Sequence, residues 1–410
     1  MKTKVVIISL LTAVLPMSVS AETRLVGGDM SMLPKYEEAG VAYYTPDGIT
    51  IDNLLDYMRD EAGFNTVRVR LFVNPTCENG VVQDVDYVAS LGARIKSAGM
   101  KFLLDFHYSD TWADPASQWT PAAWSSLSDD ALIEKIGEYT SQVLAKMKEQ
   151  SATPDLIQVG NEISFGMLWG ECDCVNPKKC FISDDANWPR FVALLQSASA
   201  ACRQECPDAK IIIHTERTTD PATSIEIYSR LSQVDYDVIA LSYYPEWHGS
   251  IEQVVTTLNA MQDAFPTKSL LVAETGYFND WYPETAAYDF TDIYPASPEG
   301  QRKFLADLVD ALPSVKNLVG LLYWFPEENP LNNHVYEPWF NHGLFDPKTG
   351  KASAGLFELK RFADDGSVDA VKIDEKSVDV IYDLQGRKVL NSSSLSKGIY
   401  VTNGKKFVVR

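Results

Sequence analysis

The chain has 410 residues, 45% of them hydrophobic and 22% charged, and 56 acidic against 36 basic side chains leave a formal net charge of −20. That composition suits a soluble globular protein with a large core and excludes a disordered or fibrous one. So much negative charge repels a phosphate backbone and an anionic lipid surface, which argues against nucleic acid or a membrane as partner.

Lys2 and Lys4 precede an apolar run over 5–15, and Val19 and Ala21 follow with the small-residue spacing of a cleavage site. This is the pattern of a secretory signal peptide over residues 1–21. A spanning helix needs about 18 or more apolar residues. The run is shorter and no later segment qualifies, so no membrane span is expected and the mature chain should be exported to the periplasm, cell surface or exterior. Six cysteines, at 77, 172, 174, 180, 202 and 206, fit an oxidising compartment. The segment GECDCVNPKKC lacks the C-x-x-C or paired-His spacing of a zinc site, so disulfides are expected, with at least one bridge closing residues 172–180.

Past the leader, short β-rich apolar runs alternate with longer stretches of helical period. Strands are predicted at 25–30, 66–72, 101–107, 156–161, 210–214, 238–242, 269–274 and 320–324. Helices are predicted at 51–62, 85–98, 129–150, 188–205, 251–265 and 298–312, with 354–362 after the last strand. Such alternation implies parallel strands joined by right-handed crossovers. Eight repeats favour an α/β fold of the closed (β/α)8 TIM-barrel type over an open sheet, and no Gly-rich phosphate loop follows any strand. A polar junction, Ala363-Asp364-Asp365-Gly366-Ser367, then separates a catalytic unit over 22–363 from a small C-terminal β-module over 367–410. There VDVIYDLQGRKVL and LSKGIYVTNGKKFVVR read as β-hairpins turning at Gln385-Gly386 and Asn403-Gly404. This tail resembles the C-terminal β-tails of exported Bacteroidetes proteins, a class associated with surface sorting; a plain accessory domain is the alternative.

A (β/α)8 barrel carries its active site at the carboxyl ends of the strands. Glu162 closes the fourth strand in QVGNEI and Glu274 the seventh in LLVAETGY. Each is a lone carboxyl ending an apolar strand, where desolvation is costly unless function or pairing offsets it. Two carboxyls facing each other across a barrel mouth can cleave a glycosidic bond, one protonating the leaving oxygen and the other attacking the anomeric carbon or activating water. The alternative is a pair of ion-paired acids completing the barrel top. Arg68 and Arg70 alternate onto one face of the second strand, where a cation keeps a nearby carboxyl ionised. His107-Tyr108-Ser109-Asp110-Thr111-Trp112 and Tyr243-Tyr244-Pro245-Glu246-Trp247-His248 combine flat rings with hydrogen-bonding groups, as pyranose recognition requires. Trp169, Trp281, Trp324 and Trp339 lie in or just beyond loops on the same side. The five histidines have no metal-motif spacing and there is no G-x-S-x-G elbow, so neither metal nor cofactor is implied. Asp280, Glu284, Asp289 and Asp292 are read as solvated acids.

GGDMSML, GFNTVRVRLFVNP, LLDFHYSDTWADPASQ, QVGNEI, LSYYPEWHG, VAETGY and LLYWFPEE resemble, in order and spacing, the arabinogalactan endo-β-1,4-galactanases, glycoside hydrolase family 53, from about residue 27 to 361. DFHYSDTWADP is specific to that family. The resemblance implies a retaining endo-hydrolase of β-1,4-galactan, and a monomer is expected. It implies Glu162 as acid/base, Glu274 as nucleophile, Asn161 as the contact to the 2-hydroxyl, Arg68 as the arginine beside the nucleophile and Tyr244 as its hydroxyl donor. Asp29, His107, Tyr108, Asp110, Trp112, His214, Trp247, His248 and Trp324 are expected to bind substrate. The family's Y-W-E-P is here Tyr323-Trp324-Phe325-Pro326, so the acid is displaced to Glu327 or lost, and the Cys-rich insertion and the missing calcium loop are further departures. Alternatives are a related barrel glycosidase acting on mannan, xylan or β-glucan, and a non-catalytic glycan-binding barrel, which would be expected to lack one of the two acids.

Overall fold

The computed structural model describes residues 23–333, 335 and 341–363, and the backbone of four later strands at 381–383, 388–389, 398–402 and 405–409. The leader at 1–21, Trp339 and the two hairpin turns lie outside the described residues.

Eight strands, β1 (Leu25–Asp29), β2 (Thr66–Leu71), β3 (Lys101–Phe106), β4 (Leu156–Val159), β5 (Lys210–Thr215), β6 (Val238–Tyr243), β7 (Ser269–Thr275) and β8 (Leu318–Trp324), form a closed barrel. All pair in parallel with their chain neighbours, and β1 joins both β2 and β8. Their Val, Ile and Leu content follows from burial on both faces, one against the barrel interior and one against helices. The helical layer comprises α1 (Leu54–Asp60), α2 (Val85–Ser97), α3 (Asp129–Glu149), α4 (Trp188–Glu205), α5 (Pro221–Arg230), α6 (Ile251–Ala264), α7 (Pro298–Ala311) and α8 (Ala354–Glu358). Side chains of Asn53, Asp84, Ser128, Asp220, Ser250 and Ser297 cap the first turns of α1, α2, α3, α5, α6 and α7, satisfying N–H groups the helix cannot.

The eight predicted strands match these within two residues. The helix predicted from residue 51 starts later, because Thr50–Ile51 pairs with Tyr43–Tyr44 in a small hairpin. Helix α5 is an addition to the predicted set. Glycine in β1 has a packing cause: a Cβ on Gly27 would stand 1.6 Å from the carbonyl oxygen of Thr66, so the closing strands approach only without one.

Alternation places Leu25, Leu103, Leu156, Ile212, Ala240, Leu271 and Leu322 in a cluster inside the barrel, distinct from the larger core between strands and helices. Two residues farther along the same faces come Gly27, Asp105, Gln158, His214 and Ser242, so the apolar plug passes upward into a polar layer. At the mouth the backbone leaves regular alternation. The register of β6 on β7 shifts so that Ser242 pairs with Glu274, where a regular ladder would pair it with Ala273. A bulge of this kind re-aims a side chain. After β4, Gly160 (φ 88°) and Glu162 (φ 48°) take left-handed conformations, uncommon for a non-glycine residue and concentrated where function holds them.

Beyond the barrel, β9 (Ile381–Asp383), β10 (Lys388–Val389), β11 (Gly398–Thr402) and β12 (Lys405–Val409) form an antiparallel sheet in the order β10-β9-β11-β12. All six cysteines are free thiols. Cys180 is buried, Cys174 half-buried and Cys172 exposed, and the structure does not show the bridge expected to close residues 172–180. Among the described residues, no helix is long and apolar enough to cross a membrane.

Candidate active site

A cleft of about 690 Å³ opens at the carboxyl ends of the strands, and Glu162 and Glu274 both line it. Asn161, Tyr244, Trp112, Trp247, His248 and Trp324 share that lining. Trp247 and Trp281 remain about half exposed, at 47% and 51%, and present apolar faces to the opening, as a sugar ring requires.

Beneath the cleft lies a buried ionic network centred on Arg68. Its Nη1 is 3.1 Å from Asp29, and its Nη2 is 2.8 Å from Asp105 and 3.0 Å from Glu274. Nη2 also donates to Asn161 Oδ1 at 2.8 Å, and Nε to Gln158 Oε1 at 3.2 Å. Arg70 pairs with Asp29 at 2.8 Å and lies over the Trp112 ring, 4.6 Å from its centroid. Burial alone would raise the Asp105 carboxyl, yet Arg68 and then His107 outweigh it and hold Asp105 below the ordinary range. For Arg68 burial opposes the charge, and the facing Asp105, Glu274 and Asp29 restore and exceed it.

The two cleft carboxyls have different partners. Glu274 takes the Arg68 contact on Oε1 and a hydrogen bond donated by the Tyr244 hydroxyl to Oε2 at 2.9 Å. Burial raises it to about 7 against the pull of Arg68. Glu162 accepts a hydrogen bond from the neutral Ser242 hydroxyl at 2.6 Å. Burial, then the charges of Glu274 and Glu216, push it well above the carboxyl range. The group without the cation is therefore the one that keeps its proton, which separates an acid from a carboxylate in one site.

Other residues expected to bind substrate are placed elsewhere. Asp29, His107 and His214 are at most 1% exposed and serve the network under the cleft: Asp29 anchors both arginines, and His107 Nε2 lies 3.1 Å from Asp105. Tyr108 is buried in the outer core, with φ 49° turning it off the strand face. Its ring stacks on Phe106 at 5.0 Å and its hydroxyl meets Thr140. Asp110 fastens loops, accepting from the backbone N–H groups of Asn74 and Ala122 at 3.0 and 2.9 Å. Glu327 is fully buried and accepts from the Met32 N–H at 3.1 Å, so it does not restore the missing acid to the cleft. Trp169 is buried against Trp119.

Sequence reasoning passed over Asp105, Gln158, Ser242 and Glu216. The first three carried a readable signal, a polar residue within the buried apolar stretch of a strand. Glu216 lines the cleft, holds the Ser164 hydroxyl and pairs with Arg217 at 3.0 Å. Among the described residues no group of three His, Cys, Asp or Glu could hold a metal ion.

Comparison with known proteins gives one consistent result. Residues 25–357 match the family model for glycosyl hydrolase family 53. An endo-β-1,4-galactanase of Bacillus subtilis (strain 168) is 34% identical over 323 residues, 74% of this chain and 70% of that protein. The solved GH53 catalytic domain of Ignisphaera aggregans superposes with a TM-score of 0.73 at 33% identity, covering 83% of this chain and 96% of that one. A structure from a study of two fungal β-1,4-galactanases gives 0.70 at 29% identity, covering 83% of this chain and all of that one.

Proposed function

Because this chain belongs to glycosyl hydrolase family 53, we propose that it is a retaining endo-hydrolase of β-1,4-galactan, with Glu274 as nucleophile and Glu162 as acid and base. The observation that carries this assignment of roles is the asymmetry of their partners. Arg68 at 3.0 Å and the Tyr244 hydroxyl at 2.9 Å favour an ionised Glu274, while Glu162 has a neutral hydroxyl at 2.6 Å and three carboxyls, Glu274, Glu216 and Asp114, acting on it.

In the first step a Glu274 oxygen bonds to the anomeric carbon as the bond to the glycosidic oxygen breaks, and Glu162 gives that oxygen its proton. In the second, water attacks the same carbon, gives a proton to Glu162 and releases Glu274. Asn161 already spends its Oδ1 on Arg68 and one N–H on the Ala113 carbonyl at 2.8 Å. Its second N–H remains for the sugar 2-hydroxyl. Trp112, Trp247, Trp281 and Trp324 supply stacking faces along the cleft.

The Lys-led apolar start supports export, and the junction at 363–367 supports a separate C-terminal module. Truncation near Asp365 is expected to leave kcat/KM intact; a large loss of both kcat/KM and Tm would assign the tail to the catalytic unit. For the activity itself, incubation with pectic galactan, mannan and xylan, with reducing ends counted, is the test. Release from galactan is expected, and hydrolysis of mannan or xylan in its place would overturn the substrate assignment.

A further inference from the structure

Behind the cleft, Glu162 is held by a relay of side chains that reaction by two carboxyls does not in itself require. The Ser242 hydroxyl, on β6, is 2.6 Å from Glu162 Oε1. His214 Nε2, on β5, is 2.9 Å from that hydroxyl. His214 Nδ1 lies 3.1 Å from Gln158 Nε2 and 3.0 Å from Asn161 Oδ1. Both Ser242 and His214 are fully buried, so neither touches a sugar.

Counting hydrogens determines what the relay does. Gln158 accepts from Arg68 through Oε1 and donates from Nε2 to Asp105 at 2.6 Å, which leaves its other N–H available to His214 Nδ1. Burial and the nearby Arg68 charge keep the imidazole neutral, so it carries one N–H. With that hydrogen on Nε2, His214 donates to Ser242, and the one hydrogen of Ser242 must go to Glu162 Oε1. The other tautomer, with Nδ1–H facing Asn161, needs Glu162 to donate from Oε1 to Ser242. An ionised Glu162 has no hydrogen to give, so the base form of the site enforces the Nε2–H tautomer.

We propose that Ser242 and His214 are positioning residues for the acid–base carboxyl: they keep Oε1 of Glu162 as an acceptor and confine its transferable proton to Oε2. The proposal rests on the reading of Glu162 as acid and base. The Oε2–H bond breaks as the glycosidic oxygen takes the proton and leaves the anomeric carbon, and Oε2–H forms again when the attacking water is deprotonated. The Ser242 hydrogen is transferred in neither step.

The test compares kcat/KM for galactan, whose leaving alcohol needs protonation, with kcat/KM for 2,4-dinitrophenyl β-1,4-galactobioside, whose leaving group departs without it. Wild-type hydrolysis of both substrates is established first; inertness toward both would remove the family-level reading. In Ser242→Ala the galactan value should fall about 100-fold, the scale of a general-acid contribution, with the aryl value nearly unchanged. His214→Phe should move the ratio of the two values in the same direction. Because the ratio is taken within one preparation, a partly unfolded sample leaves it unaltered. Equal losses on both substrates, or an unchanged galactan value, would overturn the proposal.

Discussion

Arg68 Nη2 lies 3.0 Å from Glu274 Oε1, and the same guanidinium stands within 3.1 Å of Asp29 and 2.8 Å of Asp105. One fully buried cation thus faces three carboxylates. Removing one partner of a buried ion pair leaves uncompensated charge and costs about 3–5 kcal/mol. Arg68→Met is therefore expected to destabilise the barrel by that order as well as abolish activity, measured as the shift in a urea unfolding midpoint. An unchanged midpoint would mean that the network is not held together by Arg68.

The pH profile should have two limbs. Glu274, raised to about 7, must be ionised to attack, so activity is lost as pH falls through its value. Glu162, held well above the carboxyl range, must be protonated to act as acid, so activity is lost as pH rises through its value. Facing Glu162 are Glu274 from β7, Glu216 after β5, Asp114 after β3 and the Ser242 hydroxyl. Glu216→Gln removes a negative charge that favours the protonated form, so the alkaline limb of kcat/KM should move to lower pH. A limb that stays in place or moves upward would contradict this electrostatic account.

Much of this architecture was legible because strands buried on both faces form dense apolar runs, and turns between them are polar. The mouth was legible only in part. Glu162 and Glu274 stand out as carboxyls at strand ends, yet strict alternation from Leu271 and Ala273 would turn Glu274 toward the helices, and only the shift on β6 brings it opposite Ser242. Tyr108 was misplaced for the same kind of reason, since its φ of 49° is a backbone property with no signature in HYSD. The histidines at 107 and 214 look like cleft residues by position, but burial decides their role. Helix α5 has ten residues, and its short amphipathic pattern was passed over between two strong strands.

A buried carboxyl in the segment after β8 offers an independent check on stability. Glu328 accepts from the Gly343 N–H at 3.0 Å through Oε2, and burial raises its carboxyl to about 8. The folded state then binds this proton more tightly than the unfolded chain does. Stability from this group is complete below the unfolded carboxyl value and is lost as pH rises toward 8, by up to about 1.4 kcal/mol per pH unit. Glu328→Gln, which keeps an acceptor for Gly343 and cannot ionise, should show a smaller fall in Tm between pH 5 and pH 8 (about the span of that window) than the wild-type chain. An equal fall in both would place the carboxyl outside the linkage.

The central claim, cleavage of β-1,4-galactan by double displacement at Glu274 and Glu162, is tested most directly by proton NMR of the anomeric region during the first minutes of galactan hydrolysis. Displacement by Glu274 followed by displacement by water returns the original configuration, so the β-anomer of the new reducing end should appear first and the α-anomer only later, by mutarotation. First appearance of the α-anomer would mean that water attacks directly, and the nucleophile assigned to Glu274 would be wrong.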